Sequence, residues 1–414
     1  MKFLIVLLLV LLPIKQMMAQ TGPGGILSTG GTTALALWLD VNTNVSVSGI
    51  NITSWTDLSG YGNNAVPPAT INQPSRINNT LNGFPVARFD GTNTYLDAGN
   101  NASLSMTQWS FFLVGRVNTN KNYNYFFGKG NDAQENYEFL TYNNPFMHTP
   151  IYFTTTARSW LDTPNPTAAI NAYSVWQYDY SAAGGRAIYL NGASIATDAE
   201  NRTPQTNALT MWIGNERSTT GRVLNGDIAE LIMYNSRVNS AQRIIIWNYL
   251  AAKYGLTLAS NDLYTMDDPA NGNYDFDVAG IGREDASNIQ SSSRGTGLVW
   301  VQNASGLGNN KYLFWGHDNG TLPATNTTDV PAGVQARSQR VWRFQNIGNV
   351  GNFDLRIDLS GLGLITASDL RLLVDDNNDG VFSNDTPISG ATLVSGNIYQ
   401  FANVNPGRLS EKYF

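Results

Sequence analysis

RAIYLNG, residues 186–192, is the stretch that decides the architecture. Arg186-Ala187-Ile188-Tyr189-Leu190 has the β-branched and aromatic texture that fits a pleated surface. Asn191-Gly192 then supplies the two positive-φ positions of a type I′ turn, so the stretch reads as a strand entering a hairpin. Runs of the same texture lie on either side: Ala34 to Asp40, Val86 to Asp90, Trp109 to Val117, Tyr125 to Gly128, Met211 to Gly214 and Asp227 to Tyr234. Many short strands separated by turn signals predict a sandwich or jelly roll. One helix interrupts them, over Ser240 to Tyr254. Asn239 and Gln242 stand at capping-box spacing, Ile244, Trp247, Leu250, Ala251 and Tyr254 share a face, and Gly255 closes the helix.

The composition agrees. Of 414 residues, 42% are hydrophobic and only 14% charged, which permits large buried cores and argues against disorder. A net charge of −6 argues against a nucleic-acid partner, because phosphate neutralisation calls for a basic patch. The chain has no Cys, which removes thiol catalysis, Cys-built zinc sites and disulfide staples, so stability must come from sheet-on-sheet burial. Lys2, the apolar run Phe3 to Leu12 and Met17-Met18-Ala19 before Gln20 read as a signal peptide over residues 1–19. That run is too short to span a bilayer, and no later segment approaches transmembrane length. The mature chain is therefore expected outside the cell or at its surface, without a transmembrane span.

Leu37-Trp38-Leu39-Asp40, then Trp55 to Ala65 (WTDLSGYGNNA), Phe89-Asp90-Gly91, Ile188 to Gly192, Trp212-Ile213-Gly214 and Asn225 to Glu230 follow one another in a telling order. Tyr249 to Leu256 closes the series. This ordered set resembles the laminin-G-like (concanavalin A-like) jelly-roll domain of bacterial surface proteins, over about residues 30–258. The resemblance implies a lectin-type sandwich, with adhesion or glycan binding as its function. After a Gly-rich lead at 20–29 and the 30–258 domain come a polar linker at 259–273 and a second, smaller β-sandwich at 274–414. In the last of these, Val278 to Asp285 and Tyr312 to Gly320 resemble an uncharacterised domain that follows such modules, and Phe353 to Leu359 alternates as a half-buried strand should. The fold class expected is thus all-β, two sandwiches in series.

Few residues offer chemistry. His148 and His317 have no metal-binding spacing, His317 is read as a turn residue, and no nucleophile elbow or phosphate-cradling loop occurs. Gly280-Ile281-Gly282 is read as a strand bend. Glucanases of this fold place their carboxylates as Glu-x-Asp-x-x-Glu on one strand face, and that motif is absent. Asp227-x-x-Glu230 and Glu135-x-x-Glu138 are spaced by three, which on a regular strand sends the two carboxylates to opposite faces. Catalysis is not expected. The metal candidate is the loop Asp375 to Asp385, in which Asp375, Asn377 and Asp379 hold positions one, three and five of a calcium loop. Gly380 permits the turn, and Asp385 stands near the place of the usual Glu, so Ca²⁺ is the expected cofactor. An Asx-rich turn without metal is the alternative. Trp55, Tyr61, Tyr95 and Trp160 are candidates for stacking on sugar rings, against the alternative that they pack the core. The expected partner is an extracellular glycan or polymer, or a surface protein. A glycosidase on the same fold and a structural display module are the alternatives.

Overall fold

The hairpin forms as read: Gly185–Leu190 pairs antiparallel with Ala193–Asp198, and Asn191 and Gly192 both take positive φ, 47° and 80°. The computed structural model describes residues 21–131, 134–143, 146–154, 156–164, 170–217, 221–363 and 365–414, so residues 1–19, read as a signal peptide, lie outside the described residues. The described residues are all-β apart from the helix Ser240–Tyr254, a four-residue turn of helix at Pro406–Leu409 and short 3-10 turns. Its first part stacks a ten-stranded antiparallel sheet on a six-stranded one. The large sheet is built around Asn225–Tyr234, which pairs with Leu35–Asp40, Phe84–Asp90 and Trp109–Val117. The small sheet runs Arg158–Asp162, Phe146–Tyr152, Tyr137–Tyr142, Tyr123–Lys129, Met211–Ile213, Leu96–Asp97. Between the two lies a core that includes Trp55, Trp109, Phe111, Phe127, Tyr137, Phe139 and Tyr178. The second part faces a four-stranded sheet built on Phe276–Arg283, Lys311–His317 and Trp342–Ile347 against a five-stranded sheet that includes Phe353–Asp358 and Ile398–Val404. Trp315, Phe344, Phe353, Leu355 and Phe401 fill that core.

The helix has the expected bounds, with the Asn239–Gln242 capping box and Gly255 in the left-handed region at φ 61°. Its burial is wider than the sequence periodicity implies. Ile245, Ile246, Tyr249 and Ala252 are buried alongside the expected stripe, because the large sheet covers one side and the Phe276–Arg283 strand packs on the helix as well. A helix apolar nearly all round belongs in an interior, and this one lies in a third core that joins the two parts. The 259–273 segment, read as a polar linker, contributes Tyr264 and Met266 to that core, 1% and 2% exposed. Gly280 and Gly282 are not at a bend. They lie within the Phe276–Arg283 strand, opposite Phe314 and Tyr312, whose rings occupy the space a Cβ would need.

The helix is fixed to the large sheet by a buried ionic network. Glu230 accepts from Trp38 Nε1 at 2.7 Å, Tyr249 Oη at 2.9 Å, Tyr254 Oη at 2.8 Å and Lys253 Nζ at 2.7 Å. Lys253 also meets Asp40 at 2.8 Å. Burial works against the Lys253 charge, but Asp40 and Glu230 outweigh it and hold the ammonium protonated. Removing one partner from a buried network strands the others. Lys253→Met is therefore expected to lower the unfolding free energy by about 3–5 kcal/mol in urea titrations. A loss near that of an exposed pair, roughly 1 kcal/mol or less, would contradict this.

Candidate functional site

The solvent side of the six-stranded sheet is set by strand alternation. In Phe146–Tyr152, Met147 and Ile151 enter the core, so His148 points outward, and in Tyr137–Tyr142 the same rule turns Glu138 and Tyr142 out. The registers then align these side chains across strands. His148 faces Asp162 on one side and Leu140 on the other, Tyr142 lies between Tyr123 and Phe146, and Trp160 faces Pro150. The outcome is a file of rings, Trp160–His148–Tyr142–Tyr123, with centroid separations of 6.1, 5.6 and 4.9 Å. It crosses four strands, on the order of 15 Å at ordinary strand spacing.

Trp160 is 51% exposed, and Tyr142, His148 and Tyr123 are half-buried. Polar groups flank the rings. His148 Nδ1 bonds Asp162 Oδ1 at 2.6 Å, Arg158 lies 6.0 Å from the Trp160 ring, and Arg222 lies 4.4 Å over Tyr123. Flat apolar faces beside fixed donors and acceptors suit a ligand carrying C–H faces and hydroxyls at once. Of the four aromatics singled out in the sequence, Trp160 alone takes part in this file. Trp55 is fully buried, the Tyr61 hydroxyl bonds Thr33 O at 2.8 Å, and Tyr95 stacks on Trp212 at 4.4 Å.

The same strand that carries Tyr142 also carries Glu138, with Glu135 just before it. Glu135 lies just before the Tyr137–Tyr142 strand, so the spacing argument that would separate it from Glu138 does not apply, and its charge acts on Glu138. Both are nearly buried, 2% and 4% exposed. Tyr125 Oη reaches Glu138 Oε2 at 3.3 Å, and Arg158 Nη1 donates to Tyr152 Oη at 2.7 Å alongside. Burial, then the charge of Glu135, pushes the Glu138 carboxyl well above its ordinary range. The second pair also departs from expectation. Register shifts between Ile228 and Glu230, and that bulge leaves Asp227 and Glu230 both turned away from the sandwich core. They remain separate in chemistry. Asp227 bonds Arg88 and Arg116, each at 2.8 Å, and Tyr173 at 2.6 Å, while Glu230 belongs to Lys253.

Asp375, Asn377, Asp379 and Asp385 lie in one loop after the core residue Val374. Asp375 accepts from Asp379 N at 3.2 Å and Gly380 N at 2.6 Å. Asp379 Oδ2 accepts from Asn377 and Asn384, at 2.9 and 3.0 Å. Asp385 Oδ1 accepts from Asp376 N at 3.0 Å, while its Oδ2 is sealed from solvent with no partner among the described residues. Burial and the surrounding Asp375, Asp376 and Asp379 raise the Asp385 carboxyl. Among the described residues no group of three or more His, Cys, Asp or Glu side chains converges as a metal shell. The loop nonetheless has the right chemistry for a hard cation: oxygen donors, excess negative charge and one orphaned carboxylate oxygen. His317, read as a turn residue, ends the Lys311–His317 strand; it is buried, bonds Asp277 Oδ2 through Nε2 at 2.8 Å and accepts from Asn319 N.

Residues 242–407 match the family model of a domain of unknown function, DUF8202. The match begins inside the helix that both parts of the chain bury. None of the curated proteins matches the sequence. Among solved structures, the chain is similar to domain 4 of an extracellular GH43 arabinanase from Geobacillus stearothermophilus, in complex with arabinotriose. The identity is 13%, over 41% of this chain and 78% of that one, with a TM-score of 0.32. The CBM40 of the Ruminococcus gnavus IT-sialidase is similar at 13% identity, over 39% and 94%, with a TM-score of 0.34. The binding domain of botulinum neurotoxin DC in complex with rat synaptotagmin II is similar at 13%, over 78% and 73%, with a TM-score of 0.39.

The Glu138 carboxyl has a pH signature. A folded-state pKa above the 4.5 of a free Glu means that the native protein holds this proton more tightly than the unfolded chain. That contribution to stability is complete below 4.5 and disappears as pH rises through the folded value. Glu138→Gln cannot ionise, so its melting temperature is expected to overtake that of the wild type as pH rises above the free-Glu range. Parallel Tm–pH curves for the two proteins would refute the raised Glu138 carboxyl.

Proposed function

We propose that this is an exported binding protein of the laminin-G-like kind, which takes extracellular glycan on the outer face of its six-stranded sheet. The observation that carries the reading is the file from Trp160 to Tyr123, a line of partly open rings edged by His148, Asp162, Arg158 and Arg222. Buried rings such as Trp55 and Trp109 belong to packing, whereas a half-exposed Trp among fixed polar groups has the composition of a binding hot spot. Trp160→Ala is expected to weaken binding to the preferred polysaccharide by roughly thirty-fold, about 2 kcal/mol, in affinity electrophoresis or on a glycan array. Its urea midpoint should change little, because the ring is half in solvent. Undiminished binding by the variant would remove this face from the function.

Calcium at the Asp375–Asp385 loop is the second part of the proposal. Asp375, Asn377, Asp379 and Asp385 would hold the ion, and its charge would relieve the crowding around the unpartnered Asp385 oxygen. At about ten times a Kd in the 10⁻⁴–10⁻³ M range, calcium would stabilise the protein by about 1.4 kcal/mol. Asp385→Asn is expected to raise Tm in EDTA by removing repulsion, and to abolish the rise that calcium gives the wild type. A wild type whose Tm ignores calcium would leave the loop an Asx turn.

A further inference from the structure

The contact of Lys253 with Asp40 and Glu230 holds a nucleophile, an acyl carbon and a proton carrier together, and glycan binding uses none of them. Asp40 ends the Leu35–Asp40 strand directly opposite Glu230, and both turn away from the sandwich core toward the helix. Lys253, in the last turn of that helix, brings Nζ to 2.7 Å from Glu230 Oε2 and 2.8 Å from Asp40 Oδ2. The rings of Phe84, Tyr249 and Tyr254 lie 5.8, 5.5 and 5.1 Å from Nζ, and no side chain of the three is more than 9% exposed.

Two carboxylates around one lysine are more than an ion pair needs. Glu230 has three further donors, Trp38 Nε1, Tyr249 Oη and Tyr254 Oη, so it stays satisfied without the ammonium. Asp40 is held differently. Its Oδ1 accepts from Asn42 N at 2.9 Å, and its Oδ2, the oxygen facing Nζ, accepts from Thr43 Oγ1 at 3.2 Å. That oxygen contact places Asp40 Cγ about 3–3.5 Å from Nζ, the separation of a near-attack arrangement. Hydration favours an ammonium and a carboxylate over the amide they form on condensing. Burial removes that hydration from the two ions and takes far less from a neutral amide.

We propose that Lys253 Nζ and Asp40 Cγ condense to an intramolecular isopeptide bond, with Glu230 carrying the protons. The ion pair is the state from which the bond forms. Nζ passes one proton to Glu230, a carboxyl that burial pushes up, and the free amine adds to Cγ while Asn42 N–H holds Oδ1. A second proton leaves Nζ as the C–N bond closes. Glu230 delivers both protons to Oδ2, which departs as water. One ammonium and one carboxylate thus become one amide and one water, with no electron exchanged and no co-reactant. Glu230 ends as a carboxylate on Trp38, Tyr249 and Tyr254. The chain has no Cys, and this bond would tie helix to sheet as a disulfide does elsewhere. It neither requires the glycan face nor supports it.

The test is intact-protein mass spectrometry of the denatured full chain. The wild type should weigh one water less than its sequence, and digestion should yield a branched peptide joining Asp40 to Lys253. Lys253→Arg keeps a cation between the carboxylates but never presents a free amine, so it should have its full sequence mass. In a time course of cell-free synthesis, Glu230→Gln should link about a hundredfold more slowly than the wild type. Circular dichroism establishes that each variant is folded. A folded wild type at its full sequence mass would overturn the proposal whatever the variants do. So would a water loss that persists in Lys253→Arg or maps to other residues. A folded Glu230→Gln that links as fast as the wild type would overturn the proton-carrying role.

Discussion

Everything in this molecule hangs on the ionic network around Glu230. A carboxylate on the central strand of the large sheet and a lysine on the helix are both taken out of water, and either alone would be unfavourable by several kcal/mol. Together with Asp40, Trp38, Tyr249 and Tyr254 they are mutually satisfied, and the geometry of those bonds fixes how the helix lies on the sheet. The helix then presents its remaining apolar side chains to the Phe276–Arg283 strand. The two sandwiches are thus joined through a shared interior, and the segment after the helix is drawn into it.

That arrangement explains where a functional surface can form. The outer side of the large sheet is covered by the helix and the second part, so the open broad face of the first sandwich is that of the six-stranded sheet. Strand alternation alone would put any mixture of side chains there. What makes the face distinctive is register: the pairings of Tyr123, Tyr142, Phe146, His148 and Asp162 bring rings from four strands into one file.

The strands with continuous apolar or β-branched runs were legible from the residues, including Trp109–Val117, Asn225–Tyr234 and the hairpin at Asn191-Gly192, as was the helix with both its caps. The strands that carry the open face were not. Tyr137–Tyr142, Phe146–Tyr152 and Arg158–Asp162 are interrupted by Asn143-Asn144-Pro145 and by Pro150, and their outward positions hold Glu, His and Tyr, so neither apolar content nor turn punctuation marks them. Trp160 was among the sugar-stacking candidates, yet its neighbours in space are 12 to 37 residues away in sequence, a distance no local pattern spans. The two carboxylate pairs show the limit of spacing arguments most clearly. The rule of opposite faces holds for a regular strand, and it failed where Glu135 precedes the strand and where a bulge follows Ile228.

The burial of Glu135 and Glu138 bears directly on whether this face cleaves what it binds. Glycoside hydrolysis asks two carboxyl groups to stand on either side of the scissile bond, about 5 Å apart for retention and roughly 6.5–9.5 Å for inversion, because a sugar carbon or a sugar and a water must fit between them. Here both groups are nearly buried, with the Tyr125 hydroxyl on Glu138, so neither presents an open carboxyl to a ligand on this face. Burial and the neighbouring Glu135 charge instead hold Glu138 towards its neutral form on the strand that also carries Tyr142. The pair is thus buried structure on the face whose ring file carries the proposed binding.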